Sequence, residues 1–151
     1  MKSVRLAAQS RVRLDERLAQ LGPADRYHPP AYGWIKAIRK ALGMSAAQLG
    51  DRLGVRQPSI AGLERSEERG SIELGTLRRV AEALDCTLVY AFIPNQPLEA
   101  TVRKRARAFL GRRRQHVEHS MLLEDQSVGE AITDSHVDDV LRDTNPRRFW
   151  Y

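Results

Sequence analysis

Apolar residues recur along most of the chain at intervals of three and four, which predicts a mainly helical protein. Ile35, Ile38 and Leu42 lie on one face of such a helix, and Gly43 follows in the position of a C-terminal cap. Asp134 or Ser135 is expected to cap the last helix. The predicted helices lie at residues 3–21, 33–42, 45–53, 57 onward, 77–84, 98–126, 128–132 and 137–142.

One segment departs from the helical pattern. Residues 86–93, CTLVYAFI, are β-branched and aromatic and end at Pro94-Asn95, so they predict a short β-strand. A lone strand leaves its main-chain donors and acceptors unpaired. It would pair with the same strand of a second copy or with a strand of another protein, unless the segment is helical. Antiparallel pairing across a two-fold axis is self-complementary, which favours a homodimer.

Residues 45–67 have the layout of two short helices joined by a tight turn. Ser45 and Gln48 have capping-box spacing, in which each side chain reaches a main-chain donor of the other residue. Gly54 supplies the permissive backbone that the turn needs. Pro58 falls in the first turn of the second helix, where its missing N–H has no intrahelical role. This is the layout of a helix-turn-helix, whose second helix enters the major groove of DNA.

The stretch MSAAQLGDRLGVRQPSIAGLERSE resembles the phage-repressor class of helix-turn-helix regulators, and the resemblance extends over residues 33–85. It departs from the family at Gly50, Arg56 and Glu73, where alanine, serine and a capping serine are usual. The resemblance implies a lambda-repressor-like fold and DNA binding. The matching residues are Gln48, Leu49, Gly54, Val55, Gln57, Ile60 and Glu64.

Position in the motif assigns the candidate DNA contacts. Gln57 is the best candidate for reading a base, because an amide pairs bidentately with adenine in the major groove. Ser45, Gln48 and Arg65 are phosphate candidates, and the alternative for Ser45 is that it serves only as a cap. Pro58, Ala61 and Gly62 offer at most an apolar contact with DNA or room for the DNA to approach the helix closely. The DNA-binding set is therefore Ser45, Gln48, Arg56, Gln57, Pro58, Ser59, Gly62 and Arg65.

A second resemblance concerns the whole chain. PPAYGWIKAIRKALGMS, the segment ending in Ile93-Pro94, and VEHSMLLEDQ resemble the bacterial family called mobile mystery protein A. This implies an antitoxin-like partner of a Fic-domain protein. Ser120 and Glu124 match the spacing of the helix that inhibits Fic enzymes, but Asp125 departs from the glycine or asparagine expected next. The alternative is that both are ordinary exposed helix positions.

Charge is distributed unevenly in this chain of 151 residues and net charge +6. Residues 103–114 hold seven basic side chains and no acid, whereas residues 118–143 are strongly acidic. A polyanion on one side and another partner on the other would explain this asymmetry. The alternative is a solvated helix face followed by an acidic tail. Neutralising Arg112, Arg113 and Arg114 separates the two through the salt dependence of binding.

Other chemistry is poorly represented. His116 and His119 are too few for a zinc site, and no phosphate loop or catalytic motif is present, so we expect no enzyme, cofactor or metal. Cys86 is the only cysteine and excludes a disulfide framework. We find neither a secretory signal nor a membrane-spanning run, which favours the cytoplasm.

The sequence divides into an N-terminal helix and linker (1–30), a helix-turn-helix domain with its strand (31–94), and a helical extension (95–151). The predicted function is a DNA-binding repressor that acts as the antitoxin of a Fic-type partner and regulates its own operon. As a two-fold dimer it would bind an inverted-repeat operator. The alternative is a protein-interaction module that inhibits the partner without specific DNA binding.

Overall fold

The computed structural model describes residues 2–121 and 131–151, and in this part of the chain it is mainly helical, as predicted. Short 3-10 helices occupy Ala24–Tyr27 and Pro146–Trp150. The α-helices are α1 (Lys2–Ala19), α2 (Gly33–Ala41), α3 (Ala46–Leu53), α4 (Gln57–Glu68), α5 (Leu74–Ala83), α6 (Leu98–Met121) and α7 (Asp134–Asp143).

The chain forms two compact units. The central unit is Pro23–Ala91, and the terminal unit combines Met1–Gly22 with Phe92–Tyr151. The sequence pattern instead predicted three consecutive segments, 1–30, 31–94 and 95–151. The two divisions differ because α1 packs against α6, a contact between distant segments that local patterning does not reveal.

The core of the central unit draws on each of its four α-helices. Ile35, Leu49, Ile60 and Val80 come from α2, α3, α4 and α5 in turn, and Leu84 follows the end of α5. Leu49 and Ile60 have no exposed surface. Each of these side chains lies on the apolar face that the helical spacing predicted, so burial of that face determines how α4 is mounted.

Two carboxylates of α4 hold α2 in place. Glu64 is a buried acid, and its Oε1 accepts a hydrogen bond of 2.7 Å from Nε of Arg39. Glu67 accepts hydrogen bonds from the main-chain N–H groups of Trp34 and Ile35 at the N-terminus of α2. Gly33 has φ +80°, and a Cβ there would lie 2.6 Å from Oε2 of Glu67. Glycine therefore permits this cap to form.

The terminal unit has its own core around α6. Val102, Ala106 and Phe109 of α6 pack with Val137 of α7 and with Phe149. The rings of Phe109 and Phe149 meet edge to face, with centroids 5.5 Å apart. The aromatic end of the chain, PRRFWY, thus inserts Phe149 into the core of its own unit.

The N-terminal helix joins this unit through the start of α6. Asp15 accepts hydrogen bonds from the main-chain N–H groups of Leu98 and Glu99, at 2.7 and 3.1 Å. Arg11 and Glu99 form an ion pair of 2.7 Å beside this cap. A carboxylate at the positive end of a helix is favourable, and here it comes from another helix.

The predicted strand at 86–93 is not found, since the described residues contain no β-strand. None of residues 87–93 forms a main-chain hydrogen bond with another described residue. Val89, Tyr90 and Phe92 are 79%, 62% and 86% exposed. A strand is defined by pairing with a neighbour, and the described part of this single chain supplies none.

The C-terminal predictions need smaller corrections. Thr133, rather than Asp134 or Ser135, caps α7, in a capping box with His136. Residues 122–130 lie outside the described part, so most of the predicted helix at 128–132 and the end of the 98–126 helix fall there, and Ile132 is not helical. Among the helices described, none combines the length and apolar character that crossing a membrane requires.

Candidate nucleic-acid interface

Helix α3 begins with a complete capping box, as predicted. Oγ of Ser45 accepts a hydrogen bond from the main-chain N–H of Gln48, and Oε1 of Gln48 accepts one from the N–H of Ser45. These bonds use acceptor atoms of the two exposed side chains. The Ser45 hydroxyl and the Gln48 amide N–H groups can therefore still donate hydrogen bonds to a phosphate.

The turn itself is built on two glycines. Gly54 adopts φ +68°, a left-handed conformation that suits glycine. At Gly50, an added Cβ would lie 2.7 Å from the main-chain oxygen of Val55, which is closer than a Cβ normally approaches. The alanine usual in the phage-repressor family would therefore force this turn to shift. Because Gly50 of α3 has no side chain, the main chain of the turn at Val55 can lie close against α3.

Helix α4 separates a buried face from an exposed one. Ile60 and Glu64 are buried, whereas Gln57, Ala61 and Arg65, each four residues apart, are exposed along the helix. Spacing of four keeps these three side chains on one side of the helix. Gln57 and Arg65, predicted to contact base and phosphate, are therefore presented together.

The N-terminus of α4 is electropositive. Its first turn contains no acid, and Arg56, the N-cap residue, makes no capping bond through its side chain. Pro58 has no N–H, and the N–H of Ser59 donates to the Arg56 carbonyl at 2.9 Å. The helix dipole and the Arg56 guanidinium thus add their positive potentials at the end that carries Gln57.

Gly62 leaves space beside α4. No atom lies within 4 Å of the position that a Cβ would take there, and a cavity of about 280 Å³ lies alongside. Ser59 and Gly62 line this cavity together with Thr76 and Arg79 of α5. Arg79 is exposed, and no local motif marks it as a DNA contact. The tertiary fold, in which α5 packs against α3, brings this basic side chain to the cavity beside α4.

The basic cluster at 103–114 is partly neutralised within the terminal unit. Arg103 and Arg107 form ion pairs with Asp138 and Asp134 of α7. The hydrogen bond to Asp138 is the largest cause of the raised pKa of Arg103. Arg112 donates to the main-chain oxygen of Tyr151. This cluster is therefore neither a fully solvated helix face nor a face whose arginines are all free to bind phosphate.

The predicted inhibitory pair lies at the edge of the structure. Glu124 falls outside the described residues, and Ser120 is described only as part of the α6 backbone. Within the described residues, no group of three or more potential metal ligands occurs.

Comparison with known proteins supports the helix-turn-helix assignment. Residues 35–90 match the family described as Helix-turn-helix, which confirms this part of the predicted resemblance. Antitoxin HigA1 of Mycobacterium tuberculosis, from strains CDC 1551 / Oshkosh and ATCC 25618 / H37Rv, is 42% identical over 52 residues, 34% of each chain. The chain thus spans about a third of the length of these curated relatives. No solved structure matches significantly. The resemblance to mobile mystery protein A stays a prediction.

Replacing Gln57 with alanine is expected to lower the ratio of specific to random DNA binding. The exposed amide is the group in this motif best suited to a bidentate base contact, worth about 1–3 kcal/mol of discrimination. Titration of operator and random duplexes at one salt concentration measures the ratio. Equal losses on both duplexes would show that Gln57 does not read sequence.

Replacing Gly62 with alanine is expected to change stability and DNA binding in opposite directions. Alanine stabilises a helix interior by about 0.5–1 kcal/mol relative to glycine, and the free space at this position accommodates the methyl group. If DNA approaches closely at Gly62, the same methyl group weakens binding. Thermal unfolding and a gel shift measure the two effects, and Gly75→Ala on α5, also with free space, is the matched control. Stronger DNA binding by the Gly62 variant would contradict close approach.

Proposed function

We propose that this protein is a sequence-specific DNA-binding repressor that acts as the antitoxin of a toxin–antitoxin-like pair. The observation that carries the proposal is the exposed, acid-free N-terminal part of α4, mounted on a complete helix-turn-helix scaffold. The similarity of the chain to antitoxin HigA1 over 52 residues supports an antitoxin. In this proposal, Gln57 contacts a base, Arg56 and Ser59 contact base or phosphate, and Arg65 contacts phosphate.

The repressor acts as a homodimer in this proposal. Residues 87–93 leave their main-chain donors and acceptors without partners in the described part of the chain, and they expose apolar side chains. An extended segment with these properties is a template for pairing with another chain. Antiparallel pairing of two copies would place the two α4 helices about one DNA turn, roughly 34 Å, apart on an inverted repeat.

The partner in this proposal is a Fic-domain protein, and the repressor controls the operon that encodes both. The resemblance of the chain to mobile mystery protein A supports this pairing. Ser120 and Glu124 are the residues proposed to inhibit the partner. If Glu124→Gly leaves inhibition of the Fic partner intact, this assignment of the inhibitory residues fails, while the pair itself can stand.

A gel shift with DNA from upstream of the gene, over a range of salt concentrations, tests DNA recognition. We expect a specific complex that weakens steeply with salt, because the contacts to phosphate release counterions. A protein-interaction module that uses the helix-turn-helix only as scaffold would bind upstream and random DNA equally weakly. That result, together with retained partner binding, would favour the alternative.

A further inference from the structure

The arginines of α6 divide into two sets on different sides of the helix. Arg103 and Arg107 face the carboxylates of α7. At 100° per residue, Arg105 and Arg112 lie about 180–200° around the helix axis from Arg103. The set that includes Arg105 and Arg112 therefore has different surroundings from the set that α7 neutralises.

Aromatic rings and, for Arg112, a main-chain oxygen surround the second set, whereas side-chain carboxylates of α7 face the first. The guanidinium of Arg105 lies 5.2 Å from the centroid of the Trp150 ring. Arg113 and Arg148 lie 5.7 and 5.8 Å from that of Phe109. Arg112 donates to the main-chain oxygen of Tyr151. Arg105, Arg113 and Arg148 form no ion pair with a described residue.

Contact with a ring positions a guanidinium without neutralising it. Stacked on an aromatic face, arginine keeps its planar fork of N–H donors for a carboxylate or phosphate. All four arginines are exposed. Their positive charge and their donors are therefore available to a partner that brings oxyanions.

The two terminal aromatic residues add apolar surface at the same place. Trp150 is 52% exposed and Tyr151 is 94% exposed, although the neighbouring Phe149 is almost fully buried. Tryptophan, tyrosine and arginine are the residue types most enriched where proteins bind one another tightly. Duplex DNA keeps its base faces stacked and therefore does not offer these rings a base face to stack on.

The terminal unit already contains one acidic helix bound to α6. Asp134 and Asp138 of α7, four residues apart, pair with Arg107 and Arg103, also four apart, and Val137 between the two acids is buried. An acidic amphipathic helix therefore docks on α6 through paired charges around an apolar contact. The side of α6 that carries Arg105 likewise presents exposed arginines beside apolar surface, which here is the Trp150 ring.

We infer that Arg105, Arg112, Arg113, Arg148, Trp150 and Tyr151 form the surface that binds the partner protein, through an acidic, amphipathic segment of that partner. This arginine–aromatic surface rests on the proposed antitoxin pair and adds to it the place and chemistry of contact. Carboxylates of the partner accept hydrogen bonds from the guanidinium groups, and an apolar side chain packs on Trp150. DNA recognition belongs to α4 in the central unit.

The test uses the full chain, the purified Fic-domain partner and titration calorimetry. The double variant Arg105→Gln, Arg113→Gln is expected to weaken partner binding by about tenfold to a hundredfold, and to flatten its salt dependence. Trp150→Ala is expected to weaken it about tenfold, since exposed tryptophan anchors rank among the costliest to truncate. The matched control Arg5→Gln, Lys104→Gln removes two exposed charges outside the surface and should bind as the unmodified protein does. Circular dichroism verifies that each variant is folded.

The outcomes separate this inference from the proposed function. Absence of binding by the unmodified chain rejects the proposed pair, and the surface has then no such partner. If the unmodified chain binds and the surface variants bind equally well, the inference is overturned while the pair stands. Equal partner binding with a flatter salt dependence of operator binding would assign these arginines to DNA phosphate and also overturn it. Arg105→Lys keeps the charge but not the planar fork, so its affinity for the partner should lie between those of the unmodified chain and of Arg105→Gln.

Discussion

Replacing Glu64 with alanine will lower the free energy of unfolding by about 3–5 kcal/mol, because removing one partner leaves a buried charge uncompensated. Glu64 and Arg39 are joined by a contact of 2.7 Å, and their side chains are only 11% and 12% exposed. Arg39 also donates to the main-chain oxygen of Met44, so the guanidinium cannot move to water without losing a second bond. Urea denaturation followed by circular dichroism measures the change.

The controls isolate the buried pair. Glu68→Ala removes an exposed acid from the same helix and should change stability by no more than about 0.5 kcal/mol. Replacing both partners, as Arg39→Met with Glu64→Leu, should recover most of the loss, since apolar side chains of similar size often substitute for a buried pair. A Glu64→Ala loss below about 1 kcal/mol would show that the pair remains well solvated. DNA binding should fall with stability, because the pair fixes α4 against α2.

Replacing Val89 with lysine will convert the proposed dimer to a monomer and weaken operator binding by about a hundredfold or more, since the second half-site then no longer binds at high effective concentration. Val89 is 79% exposed, so the fold of the single chain should not change. A lysine on an edge opposes pairing because its charge would be brought against the second copy. Analytical ultracentrifugation and operator titration measure the two effects.

The matched control introduces the same charge outside the segment. Asn95→Lys, at an exposed position, should leave the mass and the operator affinity unchanged. If the unmodified protein sediments as a monomer at the concentrations that saturate the operator, pairing through residues 87–93 is refuted. A Val89→Lys protein that still sediments as a dimer would place the interface elsewhere.

Local pattern predicted the central unit well, because its determinants are close in sequence. The capping box of Ser45 and Gln48 and the turn at Gly54 depend on residues within ten positions of one another. The apolar spacing of Ile35 and Leu49 likewise follows from one helix at a time. Such features are set by backbone geometry before any tertiary contact forms.

Local sequence pattern could not predict the contacts between residues that lie far apart in the chain. Glu67 caps α2 through the main-chain N–H of Trp34, 33 residues earlier, and Asp15 caps α6 through that of Leu98, 83 residues later. Neither helix start shows a capping signal of its own that would point to the distant carboxylate. The pairing of α6 arginines with α7 and with aromatic rings is also tertiary, so the charge pattern predicted a basic cluster but not its division.

The strand was predicted wrongly for a related reason. The composition of residues 86–93 favours an extended backbone, and propensity has no term for the presence of a neighbour. The described part of one chain leaves the segment unpaired and its apolar side chains exposed. In the proposed dimer the same segment would pair with a second copy, and the Val89 variant tests that proposal.

The discontinuous terminal unit sets an order of folding during synthesis. Helix α1 leaves the ribosome first, but Asp15 meets its hydrogen-bond donors 83 residues later. The whole central unit is translated between them and contains its own core, so it can fold while α1 waits with Val4 uncovered. Domains generally fold as units as they emerge. A ribosome that stalls once residue 91 has emerged from its exit tunnel would therefore present a folded helix-turn-helix beside an unprotected helix, which proteases and chaperones can distinguish from the finished protein.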